Sequence, residues 1–345
     1  MKDVFIGFDN TAGLGSRLRD AFRIIGFVAN FYSFSTHPFG FKPDIIVSYS
    51  NIRFIRIYQK FFFLIRIILK YKYFIYISTG SSILKNFSEF KLFHFFRKKT
   101  MVIFTGCDVR MPEAVLNLNW NTCKDCTQEY KDFVGCVIED KKKKLNRCEE
   151  LFDVIYCPDE CAGFLKREYF NTFFPVNLEN FPMEKYQNNK LNKKLTILHA
   201  PSNPIYKGTP FILAAIEKLK INYDFNFKLV RNVSIEELYK EIISSDLIID
   251  SIIGGFYGLF SVESMAMYKP VVGFIRKELP VWEKIQNDCP IYNTDPDKLY
   301  STLENILLDP GQLIEAGKRS REYVEKYHDA NKIARRYIEN FERGN

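Results

Sequence analysis

The stretch Gly254–Val272, GGFYGLFSVESMAMYKPVV, decides the fold of this chain. It follows the apolar run Leu247–Ile249 and leads into a second apolar run, Val271–Phe274. A strand, a glycine turn, a helix and another apolar strand in this order are typical of a parallel α/β sheet. Open sheets of this class bind ligands at the carboxyl ends of their strands, where the glycine turn falls. Gly258 would let a ligand approach the backbone, and the amides of the following turn would face a phosphate.

Strands of the same kind alternate with helices along the rest of the chain. We predict strands at Val4–Phe8, Asp44–Tyr49, Tyr73–Ser78, Thr100–Thr105, Val154–Cys157, Leu195–His199, Phe227–Val230, Leu247–Ile249 and Val271–Phe274. The first five would form one parallel sheet and the last four another, with a proline- and asparagine-rich break at Phe173–Lys194 between them. The length of 345 residues also exceeds what one core usually supports. The predicted domains are residues 1–175 and 195–325, joined by a linker at 176–194 and followed by a helix at 326–345.

Positive charge is concentrated in the first hundred residues. The whole chain carries +8, but residues 1–100 hold 16 Lys and Arg against 5 Asp and Glu, a balance of +11. We therefore expect an acidic partner for the first domain. A hydrophobic content of 47% excludes disordered and collagen-like classes. A nucleic-acid partner is not expected, because the basic residues are interleaved with aliphatic ones rather than set on a reading surface.

The run Ile52–Lys70, IRFIRIYQKFFFLIRIILK, predicts a basic amphipathic helix. On a helical projection the basic side chains fall within about 140° of arc, and they are Arg53, Arg56, Lys60, Arg66 and Lys70. Together with the stretch Phe93–Lys99, this helix would lie on an anionic membrane surface. The alternative is an apolar face that packs on the sheet with its charges outward. The run is too short and too charged to span a bilayer, and the N-terminus does not read as a signal peptide. We expect a cytoplasmic protein held peripherally at the inner face of the cytoplasmic membrane.

Two side chains near the second sheet are candidates for binding. In Leu195–Leu219, LTILHAPSNPIYKGTPFILAAIEKL, a strand would end at His199 and Lys207 would lead into a helix. A lysine beside a helix N-terminus makes an anion site, and the alternative is an ordinary loop with a solvated lysine. Glu263, one turn into the helix after the glycine turn, would accept hydrogen bonds from ribose hydroxyls. Its alternative role is an acid near the helix start that stabilises the helix dipole.

The motifs HAPSNPIYKGT and YGLFSVESMAMYKPVV resemble the retaining glycosyltransferases of the GT-B fold, glycosyltransferase family 4 and its relatives. Members similarly carry a KGT turn, then a glycine-rich loop followed by vEaMA-GkPVv. The resemblance covers about Leu195–Ile275. It implies an α/β fold with two Rossmann-like domains facing a cleft, the first binding the acceptor and the second binding the nucleotide sugar. It also implies a last helix that crosses back to the first domain, and a role in surface polysaccharides such as capsule or lipopolysaccharide O-antigen.

The same resemblance implies roles for individual residues. Lys207, with Gly208, would hold the donor diphosphate, and Glu263 would hold the ribose. The phosphates would be received by the backbone amides of Phe256, Tyr257, Gly258 and Leu259. Arg231 would supply a second basic group. Many members carry a further acid eight residues before the ribose acid, where this chain has Gly255; sugar contacts would then fall to backbone groups or to Tyr257.

The first domain has a comparable loop. Gly7–Phe27, GFDNTAGLGSRLRDAFRIIGF, predicts a strand, a glycine loop and a helix that begins near Ser16. It resembles the loop that packs against donor phosphates and acceptor in this fold, which implies donor contacts for Gly13, Gly15 and Arg17. A tight turn between strand and helix is the alternative. The glycines do not form G-x-G-x-x-G, so a dinucleotide fingerprint is not expected.

The stretch IFTGCDVRMPE, Ile103–Glu113, follows another predicted strand. Asp108 and Arg110 would project from its carboxyl end, where related enzymes carry acceptor-side polar residues. Asp108 would orient or deprotonate the acceptor hydroxyl, and an ion pair between Asp108 and Arg110 is the alternative. The predicted catalytic set is Asp108, Lys207 and Glu263.

Four of the eight cysteines follow, at Cys123, Cys126, Cys136 and Cys148. Four thiolates can bind a structural zinc ion, but the spacing of the second pair is unusual, so buried thiols are the favoured interpretation. Disulfides are not expected in a cytoplasmic protein.

Together these observations predict a glycosyltransferase that moves a sugar from a nucleotide-diphosphate donor to a hydroxyl of a lipid-linked glycan acceptor. The resemblance implies retention of anomeric configuration and no catalytic metal or cofactor. Two alternatives stay open. One is a sugar-nucleotide epimerase or phosphorylase of the same fold. The other is a non-catalytic partner subunit, for which Gly255 is the one hint.

Overall fold

The chain forms two compact units, each built on its own sheet. A computed structural model describes residues 3–36, 41–78, 82–115, 118–124, 126–133, 135–186 and 191–343. The first unit comprises residues 1–111, 131–177 and 330–345, and the second comprises 112–130 and 178–329.

The sheet of the first unit is parallel and, within the described residues, has seven strands. They are β1 Asp3–Phe8, β2 Val28–Ser33, β3 Ile45–Ile46, β4 Tyr73–Ile77, β5 Lys99–Ile103, β6 Val154–Cys157 and β7 Phe170–Asn171, in the order β3-β2-β1-β4-β5-β6-β7. Every residue of β1 and β4 is buried, because these apolar strands are covered on both faces. The longer helices of this unit are α1 Leu14–Ile24, α2 Arg53–Lys70, α3 Phe90–Phe95, α6 Ile138–Leu151 and α15 Ala330–Arg343.

The sheet of the second unit is also parallel, with five strands among the described residues. They are β8 Thr196–His199, β9 Asn226–Leu229, β10 Leu247–Ile249, β11 Val271–Gly273 and β12 Tyr292–Asn293, in the order β12-β11-β10-β8-β9. The helices are α4 Pro112–Val115, α7 Met183–Tyr186, α8 Pro204–Lys207, α9 Thr209–Leu219, α10 Ile235–Ile243, α11 Leu259–Ala266, α12 Pro280–Ile285, α13 Leu299–Leu308 and α14 Gln312–Tyr327, while the short α5 Gln128–Phe133 crosses the division between units. Ile197, Ile249 and Val272 of the strands pack with α9 and α13 in one core cluster.

The order of strands in the second sheet creates a switch point between β8 and β10. From β8 the chain moves outward to β9, and from β10 it moves in the opposite direction to β11. The loops that leave these two adjacent strands therefore diverge and leave a crevice at the carboxyl edge, where open α/β sheets bind ligands.

All nine predicted strands are present. Val154–Cys157 and Leu247–Ile249 have the predicted bounds, and the other seven differ at their ends. The prediction missed Val28–Ser33, Phe170–Asn171 and Tyr292–Asn293. The first contains polar residues between its apolar ones, and the other two have two residues each, too few to show a pattern. The predicted strand Asp44–Tyr49 is reduced to Ile45–Ile46, whose side chains are exposed.

Two segments belong to a different unit, by their contacts, from the one that the predicted domain bounds would give. The predicted bounds stay a prediction. Residues 112–130 group with the second unit although they precede its sheet by more than sixty positions in the sequence. The last helix, α15, belongs to the first unit and packs against α1. Within that unit the Asn340 amide donates to the Tyr156 hydroxyl at 2.6 Å, and Lys72 pairs with Glu342 at 2.8 Å.

No helix within the described ranges combines the length and the apolar character that crossing a membrane requires.

Candidate functional site

Lys207 and Asp250 meet at the switch point of the second sheet. Lys207 ends α8, which follows β8, and Asp250 directly follows β10. The Lys207 ammonium donates to Asp250 Oδ1 at 2.5 Å, and the two side chains are only 12% and 2% exposed. The sequence analysis predicted the place of Lys207, but it did not predict a carboxylate partner.

Asp250 connects Lys207 to the glycine turn and to α11. Its Oδ2 accepts the Ser261 hydroxyl at 2.6 Å and the Gly258 amide at 3.4 Å. Burial alone would raise the pKa of Asp250. The Lys207 charge and these hydrogen bonds outweigh the burial and hold the pKa below its ordinary value. Asp250 is therefore an anion at neutral pH, and it fixes a lysine ammonium beside a loop rich in backbone amides.

Local sequence explains how Lys207 reaches this position. The Asn203 side chain caps α8 by accepting the Tyr206 amide at 3.0 Å, and Gly208 ends the helix with a φ of 78°. A Cβ atom on Gly208 would lie 2.7 Å from Ile252 Cγ1, so a larger residue would displace the next loop. The Ile252 amide also donates to the Lys207 carbonyl at 3.2 Å. Glycine at 208 is thus required both by its left-handed conformation and by the close approach of the β10 loop.

His199, at the end of β8, ties the same elements together beneath the site. Its Nδ1 lies 2.9 Å from the Ile249 carbonyl and its Nε2 lies 2.8 Å from the Thr209 hydroxyl. Since a carbonyl only accepts, Nδ1 carries the proton and Nε2 accepts from Thr209. Burial lowers the pKa of His199 to about 4, so the ring is neutral at physiological pH. His199 was not predicted as a site residue, and its role is to join β8, β10 and the first turn of α9.

Glu263 lies in the second turn of α11 and is 3% exposed. Its Oε1 accepts the Tyr239 hydroxyl of α10 at 2.6 Å. The first turn of α11 contains no acid, and the helix-dipole effect falls off within that turn, so dipole stabilisation explains Glu263 poorly. The ribose contact stays a prediction. Tyr239, which orients the carboxylate, has no signal in the local sequence because it is 24 residues away.

The aromatic side chains of the glycine turn point into the protein. Tyr257 is buried, and its hydroxyl lies 2.6 Å from the Tyr323 hydroxyl and 3.0 Å from His328 Nε2. Phe256 stacks on the Tyr257 ring at 4.3 Å. These contacts bind the Tyr257 hydroxyl within the protein, and the expected sugar contact of Tyr257 stays a prediction. Phe256, Tyr257 and Leu259 remain candidates through their backbone amides.

Gly255 has a φ of 87°, and the space that its side chain would need is filled. A Cβ atom there would lie 2.7 Å from Arg276 Nε. The Arg276 amide also donates to the Gly255 carbonyl at 2.9 Å. An acid at this position would require both a strained backbone and movement of Arg276. Backbone conformation and packing therefore explain why residue 255 is a glycine.

Arg231, the predicted second basic group, follows β9 and is exposed. It lies at the carboxyl edge of the strand that pairs with β8, since the Val230 amide donates to the His199 carbonyl at 3.0 Å. Arg231 and Lys207 therefore follow adjacent strands at one edge of the sheet.

In the first unit, the glycines of the predicted loop are explained by packing. Gly13 has a φ of 75°, and a Cβ atom there would lie 2.8 Å from the Phe41 ring. A Cβ atom on Gly15 would lie 2.5 Å from the Phe31 ring. The Arg17 guanidinium stands over Phe41 at 5.3 Å from the ring centre. These contacts favour the tight-turn alternative for the two glycines, and their donor contacts stay a prediction.

Asp108 follows β5 and closes its own turn by accepting the amides of Thr105 at 3.1 Å and Gly106 at 2.8 Å. Burial raises the pKa of Asp108, and the nearby charge of Asp9 adds to that increase against the lowering effect of the amides. Arg110 pairs instead with Glu160 at 2.9 Å. The alternative of an Asp108–Arg110 ion pair is therefore not the arrangement that the structure has.

The basic residues of α2 divide into two groups. Arg53, Arg56, Arg66 and Lys70 are exposed. Lys60 turns inward: its ammonium donates to the Ile83 carbonyl at 2.5 Å and lies 5.3 Å from the Tyr49 ring centre. Lys60 is thus the one basic residue of the predicted set that is partly buried, and its membrane contact stays a prediction.

The four cysteines of the zinc alternative do not form a metal site in the part of the chain that the structure describes. Among those residues, no three or more His, Cys, Asp or Glu side chains are grouped to hold a metal ion. All eight cysteines are thiols. Lys141 donates to Cys136 at 3.1 Å, and burial raises the pKa of Cys148.

Comparison with known proteins places the fold. No family model and no curated protein sequence matches the chain. Sucrose-phosphate synthase from Thermosynechococcus elongatus has a TM-score of 0.61 at 13% identity, covering 99% of both chains. Anabaena HepE, solved in complex with UDP-glucose, also has a TM-score of 0.61, at 11% identity over 98% of this chain and 99% of its own. WaaG, a glycosyltransferase involved in lipopolysaccharide biosynthesis, has a TM-score of 0.55 at 12% identity over 96% and 98%.

Two further similarities bear on the alternatives. An alpha-glucosyltransferase solved with UDP and a 13-mer DNA has a TM-score of 0.61 at 10% identity, covering 98% of both chains. A UDP-GlcNAc 2-epimerase from Neisseria meningitidis matches more weakly, with a TM-score of 0.50 at 10% identity over 99% and 100%. At these identities the matches show the fold alone. The prediction of an α/β GT-B fold with two parallel-sheet domains is confirmed.

Proposed function

We propose that this chain is a glycosyltransferase whose second unit binds a nucleotide-diphosphate sugar at the β8–β10 switch point. One observation carries the proposal: the largely buried ammonium of Lys207 is fixed by the buried Asp250 beside the glycine turn, at the edge where this fold binds ligands. A buried ion pair contributes little net stability, so stabilisation of the fold does not explain why Lys207 and Asp250 are paired here. An ammonium next to backbone amides is suited to a diphosphate.

In this proposal the diphosphate lies against Lys207 and the amides of the turn that precedes α11. Lys207 and these amides stabilise the charge that develops on the departing diphosphate, which is the main electrostatic requirement of glycosyl transfer. Glu263, oriented by Tyr239, accepts the ribose hydroxyls. Arg231, exposed at the neighbouring strand end, adds positive charge. Asp108 acts on the acceptor, and the transferred sugar retains its anomeric configuration.

Binding of nucleoside diphosphates tests the donor site. UDP, GDP, CDP and ADP are added separately to the wild type and to Glu263→Ala, and the melting temperature is measured. One diphosphate should raise it, because a ligand at 100 times its Kd adds about 2.7 kcal/mol to the free energy of unfolding. Glu263→Ala should abolish the rise. The control Glu217→Ala changes an exposed acid on α9 and should keep it. No shift with any diphosphate at millimolar concentration contradicts the donor site and favours a non-catalytic subunit.

An epimerase of the same fold is the enzymatic alternative. It would act on the sugar of its own substrate and would need no acceptor. Incubation of the binding nucleotide sugar without acceptor separates the two activities, because only an epimerase would convert it to another nucleotide sugar. Product analysis by NMR then gives the anomeric configuration of a transferred sugar.

We further propose that the acceptor is a glycan linked to a lipid, and that the first unit contacts an anionic membrane. The α2–α3 surface carries large apolar side chains that are 38% to 78% exposed. They are Phe54, Ile55, Ile57, Tyr58, Phe61, Phe62, Ile65, Leu69, Leu92, Phe95 and Phe96. The helix α2 buries only Leu64, Ile67 and Ile68. The exposed cations Arg53, Arg56, Arg66 and Lys70 belong to the same surface. Apolar side chains flanked by cations match the interface of an anionic bilayer.

Co-sedimentation with vesicles of phosphatidylglycerol and phosphatidylethanolamine tests the membrane contact. Serine at Phe54, Phe61 and Phe62 together should weaken binding at least about tenfold, because binding scales with the apolar area inserted. The control replaces Ile221 and Leu308, which are 79% and 66% exposed in the second unit, by serine and should bind as the wild type does. Equal binding by both variants contradicts the proposal.

A further inference from the structure

A cavity of about 450 Å³ lies in the second unit at the carboxyl ends of β11 and β12. Trp120 and Phe274 supply aromatic wall, Arg276 supplies a buried guanidinium, and Asp295 and Asp297 supply carboxylates. The volume falls in the range of small-molecule sites, and the position is on the ligand-binding edge of the sheet.

The cavity adjoins the glycine turn at the end opposite Lys207. The Arg276 amide donates to the Gly255 carbonyl, and its side chain fills the space beside Gly255. At the other end of the same turn, a Cβ atom on Gly258 would lie 3.6 Å from the Lys207 ammonium. A ligand whose diphosphate lies on this turn would therefore have its next chemical group at the mouth of the cavity.

The walls of the cavity are held in place by contacts with one another. The Trp120 indole N–H donates to Asp297 Oδ2 at 3.0 Å, and its carbonyl accepts the Arg276 guanidinium. The Arg276 guanidinium also stacks on Phe274 at 5.1 Å, and the Trp120 ring packs edge-on against Phe211 at 5.0 Å. Trp120 has a φ of 55°, a conformation that is costly for a bulky residue and that clusters at ligand sites.

The charges of the lining are balanced, which narrows the class of ligand. The basic groups Arg276, Lys277 and Lys298 are offset by the acids Glu278, Asp295 and Asp297. A balanced set of donors and acceptors suits hydroxyl groups, which both donate and accept, better than it suits an anion or a cation. Aromatic walls suit the C–H face of a sugar ring.

We propose that this cavity binds the sugar of the nucleotide-sugar donor, that the sugar is a neutral hexose, and that Trp120 and Arg276 select it. The inference rests on the proposed donor site and names the part of the second unit that recognises the sugar to be transferred. Trp120 lies in residues 112–130, outside the sequence of the second sheet, so a segment inserted from elsewhere in the chain sets the sugar specificity.

The test compares a nucleoside diphosphate with its sugar conjugates. The diphosphate that binds best among UDP, GDP, CDP and ADP is titrated by calorimetry, followed by its glucose, galactose, mannose and N-acetylglucosamine conjugates. Trp120→Ala should weaken the best conjugate about tenfold and the diphosphate less than about twofold. The matched control Trp282→Phe, on α12 and outside the lining, should change neither.

The possible failures are distinguishable. If no diphosphate binds, the donor site itself is wrong and the inference falls with it. If the diphosphate binds but Trp120→Ala weakens neither ligand, or weakens both equally, the sugar site alone is wrong. A second readout covers misfolding of Trp120→Ala. The chain has two tryptophans, so in Trp282→Phe only Trp120 emits. Its fluorescence should change more with the conjugate than with the diphosphate, and an equal response overturns the inference.

Discussion

Lys207→Met is the most informative single change, because removing the ammonium should leave the buried carboxylate of Asp250 without its charged partner. Asp250 is 2% exposed and accepts from Lys207 at 2.5 Å. Removing one member of a buried ion pair costs about 3–5 kcal/mol, because the remaining charge loses its partner without regaining water. Asp250 keeps the Ser261 hydroxyl and the Gly258 amide, so we expect the lower end, about 3 kcal/mol.

The double variant Lys207→Met/Asp250→Asn separates charge from packing. It leaves no uncompensated charge, so it should be less destabilised than the sum of the two single variants by about 2 kcal/mol, within the range for residues in direct contact. Urea unfolding followed by tryptophan fluorescence is the assay. Trp120 and Trp282 both belong to the second unit, so the signal reports the unit that contains the site.

Two results would refute this reasoning. One is a cost below about 1 kcal/mol for Lys207→Met, which would mean that the pair is solvated and is not a fixed feature of the site. The other is strict additivity in the double variant, which would mean that the two side chains act independently. Diphosphate binding gives a separate check on function, since Lys207→Met should lose it and Asp250→Asn, which keeps the ammonium, should not.

Three further predictions concern the frame around this pair. The pKa of His199 is lowered to about 4 from about 6.5, so the neutral ring stabilises the fold above pH 6.5 and this stabilisation is lost as the pH falls towards 4. In urea unfolding, the free energy of unfolding should fall by about 2 kcal/mol between pH 7 and pH 5, and His199→Gln should lack this fall. Gly208→Ala should cost about 2 kcal/mol in the same assay, from its positive φ and the contact with Ile252; a neutral effect would contradict the close approach. Gly255→Glu should cost a similar amount and raise no transferase activity, since Arg276 occupies the space; higher turnover would show that the position accepts an acid.

The sequence predicted what depends on local pattern. Apolar runs placed the central strands of both sheets, and the glycine turn with its following helix placed Gly258 and Glu263 at the carboxyl edge of β10. The KGT turn placed Lys207 after β8. These features follow from periodicity and from the conformational freedom of glycine, which are properties of neighbouring residues.

The partners of these residues depend on tertiary contacts and were missed. Asp250 lies 43 positions from Lys207, and Tyr239 lies 24 positions from Glu263. A signal for Asp250 did exist, because an acid directly follows the apolar run Leu247–Ile249 and precedes the glycine turn. No comparable signal marks Tyr239. The direction of Tyr257 was also beyond reach, since its hydroxyl is taken by Tyr323 and His328 more than sixty positions later.

Gly255 was the one sequence feature that favoured a non-catalytic subunit, and the structure gives it another explanation. The residue has a positive φ, and its missing side chain makes room for Arg276, which lines the neighbouring cavity. Stability alone does not explain the pairing of Lys207 with the buried Asp250, because apolar residues in place of a buried ion pair are often as stable or more so. A fixed ammonium beside a glycine turn, with a buried guanidinium at the other end of that turn, instead suits a ligand with a diphosphate and a further group attached to it. The glycine is therefore explained by packing, since Arg276 takes the position beside the turn that an acid at residue 255 would need.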